Sequence, residues 1–231
     1  IPNNITAAEA THFIAGFTSY FTDKVVLVIE AYYKIMSNLM EVNEKKFTSV
    51  QFDFKNIDGV SYGIETSLKF EGSLFYGRAT YALGWAEKQA KDLTYAPRYD
   101  VRHSLSLLAG FSPGGNWQFT ANWMLNSGMP FTPISGFFDK LLLDGTTPIN
   151  IFNGYEPQFI YDIKNSGRLP SYHRLDLSVT KKFKTGFADF TIGASVLNLY
   201  NRANIYYFDK KTGKRVNQLP ILPALFVKAE F

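Results

Sequence analysis

Residues able to do covalent chemistry are few in this chain and poorly placed for it. There are three histidines, His12, His103 and His173, and no cysteine. The histidines lie far apart, without the i, i+4 spacing that puts two imidazoles on one metal, so neither a metal site nor a disulfide is expected. His103 and Ser104 are neighbours. In extended chain, however, successive side chains point to opposite faces, so the pair cannot act as base and nucleophile. No other Ser/His/Asp grouping and no phosphate-cradling glycine loop stands out. The residues point away from an enzyme, and no cofactor is implied.

Binding chemistry is better represented. The stretch 128–168 carries Phe131, Phe137, Phe138, Phe152, Tyr155, Phe159 and Tyr161. Connections longer than about 12–15 residues are usually functional or disordered. Such aromatic faces could stack on a planar or sugar-like ligand, or the stretch could pack on its neighbours. A second set is charged: Glu65, Lys69, Arg78, Arg102, Arg174, Asp176 and Lys182, with Arg174 and Asp176 placed to pair. Tyr206-Tyr207 and Lys210-Lys211 read as solvated loop. The net charge of +4 is spread along the chain, with no like-charge block beyond Lys181-Lys182 and Lys210-Lys211, so nucleic acid is not an expected partner.

The elements that must position these residues repeat with period two. Val60, Tyr62, Ile64, Thr66, Leu68 and Phe70 share one face; Ser61, Gly63, Glu65, Ser67 and Lys69 share the other. The same alternation runs through Trp117–Leu125 and Leu175–Phe183. Weaker versions elsewhere predict nine strands, near 10–21, 25–34, 59–70, 74–85, 99–111, 117–127, 172–183, 188–200 and 220–231. Ile35 to Lys46 is the best helical candidate, with too few apolar positions to support one. The longest apolar run, Val25–Ile29, is far short of the roughly 20 residues of a membrane helix. Ile1–Ile5 lacks the basic and apolar character of a signal peptide.

Connections alternate in length. Short turns lie near 22–24, 71–73, 112–116 and 184–186, and long polar ones over 35–58, 86–98, 128–168 and 201–219. All the long loops thus fall at one end, as in an up-and-down membrane barrel with short periplasmic turns and long extracellular loops. Aromatics cluster at the ends of the apolar face. Phe21, Phe70, Phe75, Phe111, Trp117, Phe183, Phe187 and Phe231 lie by the short turns, with Tyr33, Trp85, Tyr99, Tyr172 and Tyr200 opposite. Ala79, Leu105, Leu107, Ala121, Val179, Ile192 and Ala194 lie between. Two aromatic girdles are what a bilayer selects, whereas the core of a soluble β-sandwich would hold its largest rings in the middle. The charged set keeps to the polar parity, joined by Lys228 and Glu230. His103 and Lys181 break it: His103 must lie near the outer interface or be neutral, and Lys181, two residues from the girdle, can snorkel.

Nine strands are odd, whereas bacterial single-chain barrels are even-stranded and an open edge cannot stand in hydrocarbon. Further strands are therefore expected upstream, unless one is miscounted in 128–168. The chain also resembles the C-terminal barrel of bacterial TonB-dependent receptors, particularly those of Bacteroidetes. The resemblance runs through Glu30–Leu39, Tyr62–Glu65, Ser127–Pro133, Arg168–Leu177 and Val196–Asn201, almost the whole chain. It implies about 22 strands and an N-terminal plug, this chain supplying roughly the last nine, in an integral protein of the bacterial outer membrane. Its last strand resembles the signal read by the outer-membrane assembly machinery, with Leu225, Val227, Ala229 and a terminal Phe231. The resemblance further implies a receptor that binds scarce nutrients outside and imports them with TonB, reached through the absent N-terminal part. On that reading the polar-face charges line a transport path or bond to the plug. A partner lipoprotein of the starch-utilisation type has no mark here. A passive channel or adhesive barrel remains the alternative.

Overall fold

The computed structural model describes residues 6–43, 46, 48–91, 93–139, 157–210 and 212–231. Among them it is all β. The strands are β1 (Glu9–Thr22), β2 (Val25–Val42), β3 (Phe54–Glu71), β4 (Phe75–Ala90), β5 (Leu93–Tyr95), β6 (His103–Gly114), β7 (Trp117–Asn126) and β8 (Pro130–Phe131). There follow β9 (Ile134–Asp139), β10 (Pro157–Tyr161), β11 (Gly167–Arg168), β12 (Tyr172–Lys184), β13 (Asp189–Leu197), β14 (Ile205–Phe208), β15 (Arg215–Asn217) and β16 (Leu222–Glu230). Nine of these pair in the order β1-β2-β3-β4-β6-β7-β12-β13-β16, each antiparallel to the next, with short β5 added beside β4. Neighbours in this sheet follow one another in chain order, which is up-and-down topology.

A membrane strand needs about 9–11 residues. β2 and β3 have 18 each, so they rise well past the apolar band on the long-loop side. That accounts for Ile35 to Lys46, where β2 continues to Val42 across a bulge at Asn38, whose φ is 57°. The described parts of 128–168 also form paired strands. β8 pairs with β11 at its base and β9 pairs with β10 above, separate from the main sheet.

The register turns the alternating pattern into one continuous face. Ala31, Ile64, Leu83 and His103 stand side by side on β2, β3, β4 and β6. Leu107, Trp123 and Leu175 form another row, and Ala109, Ala121, Leu177, Val196 and Pro223 a third. Near the short turns, Phe75 stacks on Phe111 at 4.7 Å between centroids, and Phe183 on Phe190 at 5.4 Å. Near the long loops, Tyr33, Tyr62 and Trp85 form a stacked row at 6.1 and 5.4 Å. In the middle of this face Leu107, Leu177 and Ile192 are 41%, 37% and 39% exposed, so no second layer of the described chain covers them.

Three aromatic positions depart from the expected rings. Tyr99 lies before β6, off the sheet, because that strand begins at His103 rather than at residue 99. Tyr172 pairs with Asn126 on the polar parity, and the ring at that level is supplied by His173 against Tyr200. Trp123 sits inside the aliphatic band. Both parity-breaking residues have local partners: His103 Nδ1 lies 2.8 Å from the Tyr81 hydroxyl, and Lys181 Nζ donates to the Gly115 carbonyl at 2.5 Å.

The two faces predict opposite responses to charge. In the full-length protein folded into lipid vesicles, Ala121→Arg should lower unfolding stability by about 2–4 kcal/mol, whereas Ser178→Arg on the other face should cost far less. Urea titration followed by heat-modifiable gel migration measures both.

Candidate functional site

The polar chemistry concentrates at the long-loop rim. Asp100 is 2% exposed and anchors the connection between β4 and β6. One carboxylate oxygen accepts the Ala86 N–H at 2.9 Å; the other accepts a short hydrogen bond from Arg168 and lies 3.5 Å from Arg102. Arg168 also donates to the carbonyls of Asp100 and Gly128, each at 3.1 Å. Gly128 must lack a side chain, because a Cβ there would fall 1.4 Å from the Leu169 carbonyl oxygen. The β8–β11 pairing and this arginine clamp close the base of 128–168 and fix it to the neighbouring connection.

A second clamp lies beside the first. The Glu41 carboxylate accepts from Lys88 at 2.5 Å and Lys164 at 3.1 Å, and Lys164 also lies 4.8 Å from the centre of the Tyr95 ring. Asn165, at φ 56°, donates its side-chain amide to the Ala96 carbonyl at 2.8 Å and its backbone N–H to Thr132 Oγ1 at 3.0 Å. The 201–219 connection is tied down likewise. Buried Asn198 donates its side-chain amide to the carbonyls of Arg202 and Leu219, and its backbone N–H reaches Asp176 at 2.9 Å. Arg174 pairs with the same carboxylate at 2.8 Å. The motifs around Ser127–Pro133, Arg168–Leu177 and Val196–Asn201 are thus, physically, rim fasteners.

The aromatic candidates divide. Phe131 packs on Phe208 at 5.7 Å and against Gly167, which makes it part of the base. Phe137 and Phe138, 73% and 53% exposed, project from β9, and Phe159 stands opposite Phe137 on β10. Tyr161 accepts a hydrogen bond from Lys210 at 3.0 Å, joining the two outer hairpins, β9–β10 and β14–β15. Phe152 and Tyr155 lie outside the described residues.

Of the charged set, Lys69 stands opposite Arg78 and pairs with Glu71 at 2.6 Å, and Glu65 stands opposite Glu30. Lys182 faces Thr191 with Lys228 beyond. Arg102 lies just before β6, where its carbonyl accepts the Gly84 N–H at 3.0 Å; its guanidinium lies 3.5 Å from Asp100 and 5.1 Å from the Trp85 ring centre. Sequence reasoning missed Asp100, Glu41, Lys88, Lys164, Asn165 and Asn198. One usable signal was asparagine in the connections: every non-glycine residue with positive φ among the described ones is Asn. No group of three His, Cys, Asp or Glu among the described residues could hold a metal.

Burial alone would raise the Glu41 pKa, but the lysine hydrogen bonds outweigh it and hold the group below its ordinary value of 4.5. Its contribution to the clamp is therefore complete above that value and is lost as pH falls through the lowered one. Proteolysis of the 128–168 segment in the full-length protein, with an acid-active protease, should accelerate as acidification protonates Glu41 below the ordinary glutamate range, and Glu41→Gln should flatten that dependence.

Similarity to known proteins follows the same outline. A search of curated proteins finds no match in sequence. The ferripyoverdine receptor of the Pseudomonas aeruginosa outer membrane superposes with a TM-score of 0.64 at 12% identity, covering 95% of this chain and 27% of that one. The ferric citrate transporter FecA gives 0.64 at 18% identity, with 95% and 30% covered. The copper transporter OprC gives 0.62 at 11%, with 98% and 32% covered. This chain therefore spans about a third or less of the length of these structures, which at such identities share its fold. Residues 2–199 match the family described as TonB dependent receptor-like, beta-barrel, and the chain belongs to that family of outer-membrane β-barrels.

Proposed function

We propose that the intact protein is an outer-membrane receptor that binds a scarce nutrient at the cell surface and imports it into the periplasm with TonB-transmitted energy. The observation that carries this reading is the family match over residues 2–199. Topology is consistent with it. Among the described residues β1 and β16 run in the same direction at the two unpaired sheet edges, so closing an antiparallel barrel would take an odd number of further strands between them. A plug and a TonB-contacting segment would belong to the same missing part, and β16 with Leu225, Val227, Ala229 and Phe231 would serve the assembly machinery.

In this reading the clamped base holds strands β9 and β10, whose exposed aromatic side chains meet the nutrient outside. Phe137, Phe138 and Phe159 supply faces for stacking, with Phe152, Tyr155 and Tyr161 on the same segment. Glu65, Lys69, Arg78 and Lys182 face the lumen, where a plug or the passing cargo meets them. The named structures include receptors or transporters for ferripyoverdine, ferric citrate and copper, which supports nutrient import as the class of activity. A passive channel would need no energy source.

Uptake by cells carrying the full-length protein tests both parts. Import of the nutrient that supports growth should stop when a protonophore collapses the inner-membrane gradient. Phe137→Ala with Phe138→Ala should weaken surface binding about tenfold, as expected for losing two aromatic contacts of 0.5–1.5 kcal/mol each, at unchanged expression. Uptake indifferent to the protonophore would instead identify a passive channel.

A further inference from the structure

We propose that Lys181 and Trp117 form a headgroup site for a phospholipid phosphate on the short-turn side of the membrane. The proposal rests on the apolar face being the lipid face. Lys181 stands opposite Trp117 on β7 and Ile192 on β13, so its parity is that of the apolar face. Among the described residues it is the single lysine or arginine of the nine long strands with that parity; Lys69, Arg78, Arg174, Lys182 and Lys228 all take the other. A cation facing acyl chains is costly unless its head reaches the interface.

The geometry takes it there. Lys181 Nζ bends to the 112–116 turn, donating to the Gly115 carbonyl at 2.5 Å, and lies 4.8 Å from the centre of the Trp117 ring. The ring belongs to the lower aromatic row, 6.0 Å from Phe119. Three lysines on the polar parity pair with carboxylates: Lys69 with Glu71 at 2.6 Å, Lys184 with Asp189 at 2.9 Å, Lys228 with Glu230 at 2.6 Å. Lys181 has no carboxylate within salt-bridge distance among the described residues. An ammonium carries three donors, and a carbonyl and a π face leave it without a counter-anion. At that depth the anion at hand is the phosphodiester of a phospholipid, and charge complementarity selects it over a neutral lipid.

The test uses full-length protein reconstituted with phosphatidylglycerol and phosphatidylcholine, extracted in mild detergent and weighed by native mass spectrometry. Wild type should retain phosphatidylglycerol, and Lys181→Gln should reduce the retained fraction about fivefold, the effect of one basic residue near an anionic surface. Lys181→Arg should preserve retention. Trp117→Leu, which keeps the charge and removes the ring, should lower it and reads the same site should the glutamine variant fail to fold. Equal retention in wild type and in whichever of the Gln and Leu variants fold overturns the proposal, as does displacement of the lipid from wild type by excess inorganic phosphate, which would mark a free-anion site. Transport is a separate readout, so its loss or survival does not decide this question.

Discussion

The structure depends on one constraint: inside hydrocarbon there is no water to satisfy a backbone N–H or C=O. An antiparallel ladder satisfies those groups strand by strand, and nine strands here do so, with register shifts at Tyr20/Thr22, Met36/Leu39 and Phe111/Gly114. The same ladder fixes which way every side chain points. Once Leu177 faces the acyl chains, Arg174 and Asp176 must face away from them, and so must Lys69 and Arg78 two and more strands distant. A charge on the wrong parity needs an escape, which Tyr81 gives His103 and the Gly115 turn gives Lys181.

Above the apolar band the constraint changes. Water is present, yet the long connections are not free chain. Asp100 with Arg168, Glu41 with Lys88 and Lys164, and Asp176 with Asn198 each join segments distant in sequence. Buried or half-buried carboxylates of this kind are paired on at least one side by a cation or an N–H, as their desolvation requires. The result is a collar from which the β9–β10 hairpin projects, with Phe137 and Phe138 at solvent.

Much of this was legible in the residues. Alternation over 60–70, 117–125 and 175–183 gave strand type and face because the pleat has a strict period of two. Alternating loop lengths gave the barrel's polarity. Off the sheet that logic lapses. Arg102 sits one residue before β6 and lies between the Asp100 carboxylate and the Trp85 ring, neighbours its own position in the sequence does not announce. The strand continuing through Ile35 to Val42 was hidden because the bulge at Asn38 breaks the alternation, leaving Ile35-Met36 and Leu39-Met40 as adjacent apolar pairs. Asp100 and Glu41 could not be singled out because their partners lie far along the chain, and single letters carry no sign of such a meeting. Phe131 looked like its neighbours in sequence but packs inward on Phe208, a tertiary outcome.

The account turns on which side of the sheet meets lipid, and β12 allows that to be read residue by residue. These 231 residues contain no cysteine, so single substitutions Leu175→Cys to Thr180→Cys can each carry a fluorescent probe in the full-length protein, cleared of any other cysteine, in lipid vesicles. Nitroxides placed on the acyl chains should quench probes at 175, 177 and 179 strongly and those at 176, 178 and 180 weakly. Quenching without alternation, or strongest at the even positions, would contradict the membrane assignment.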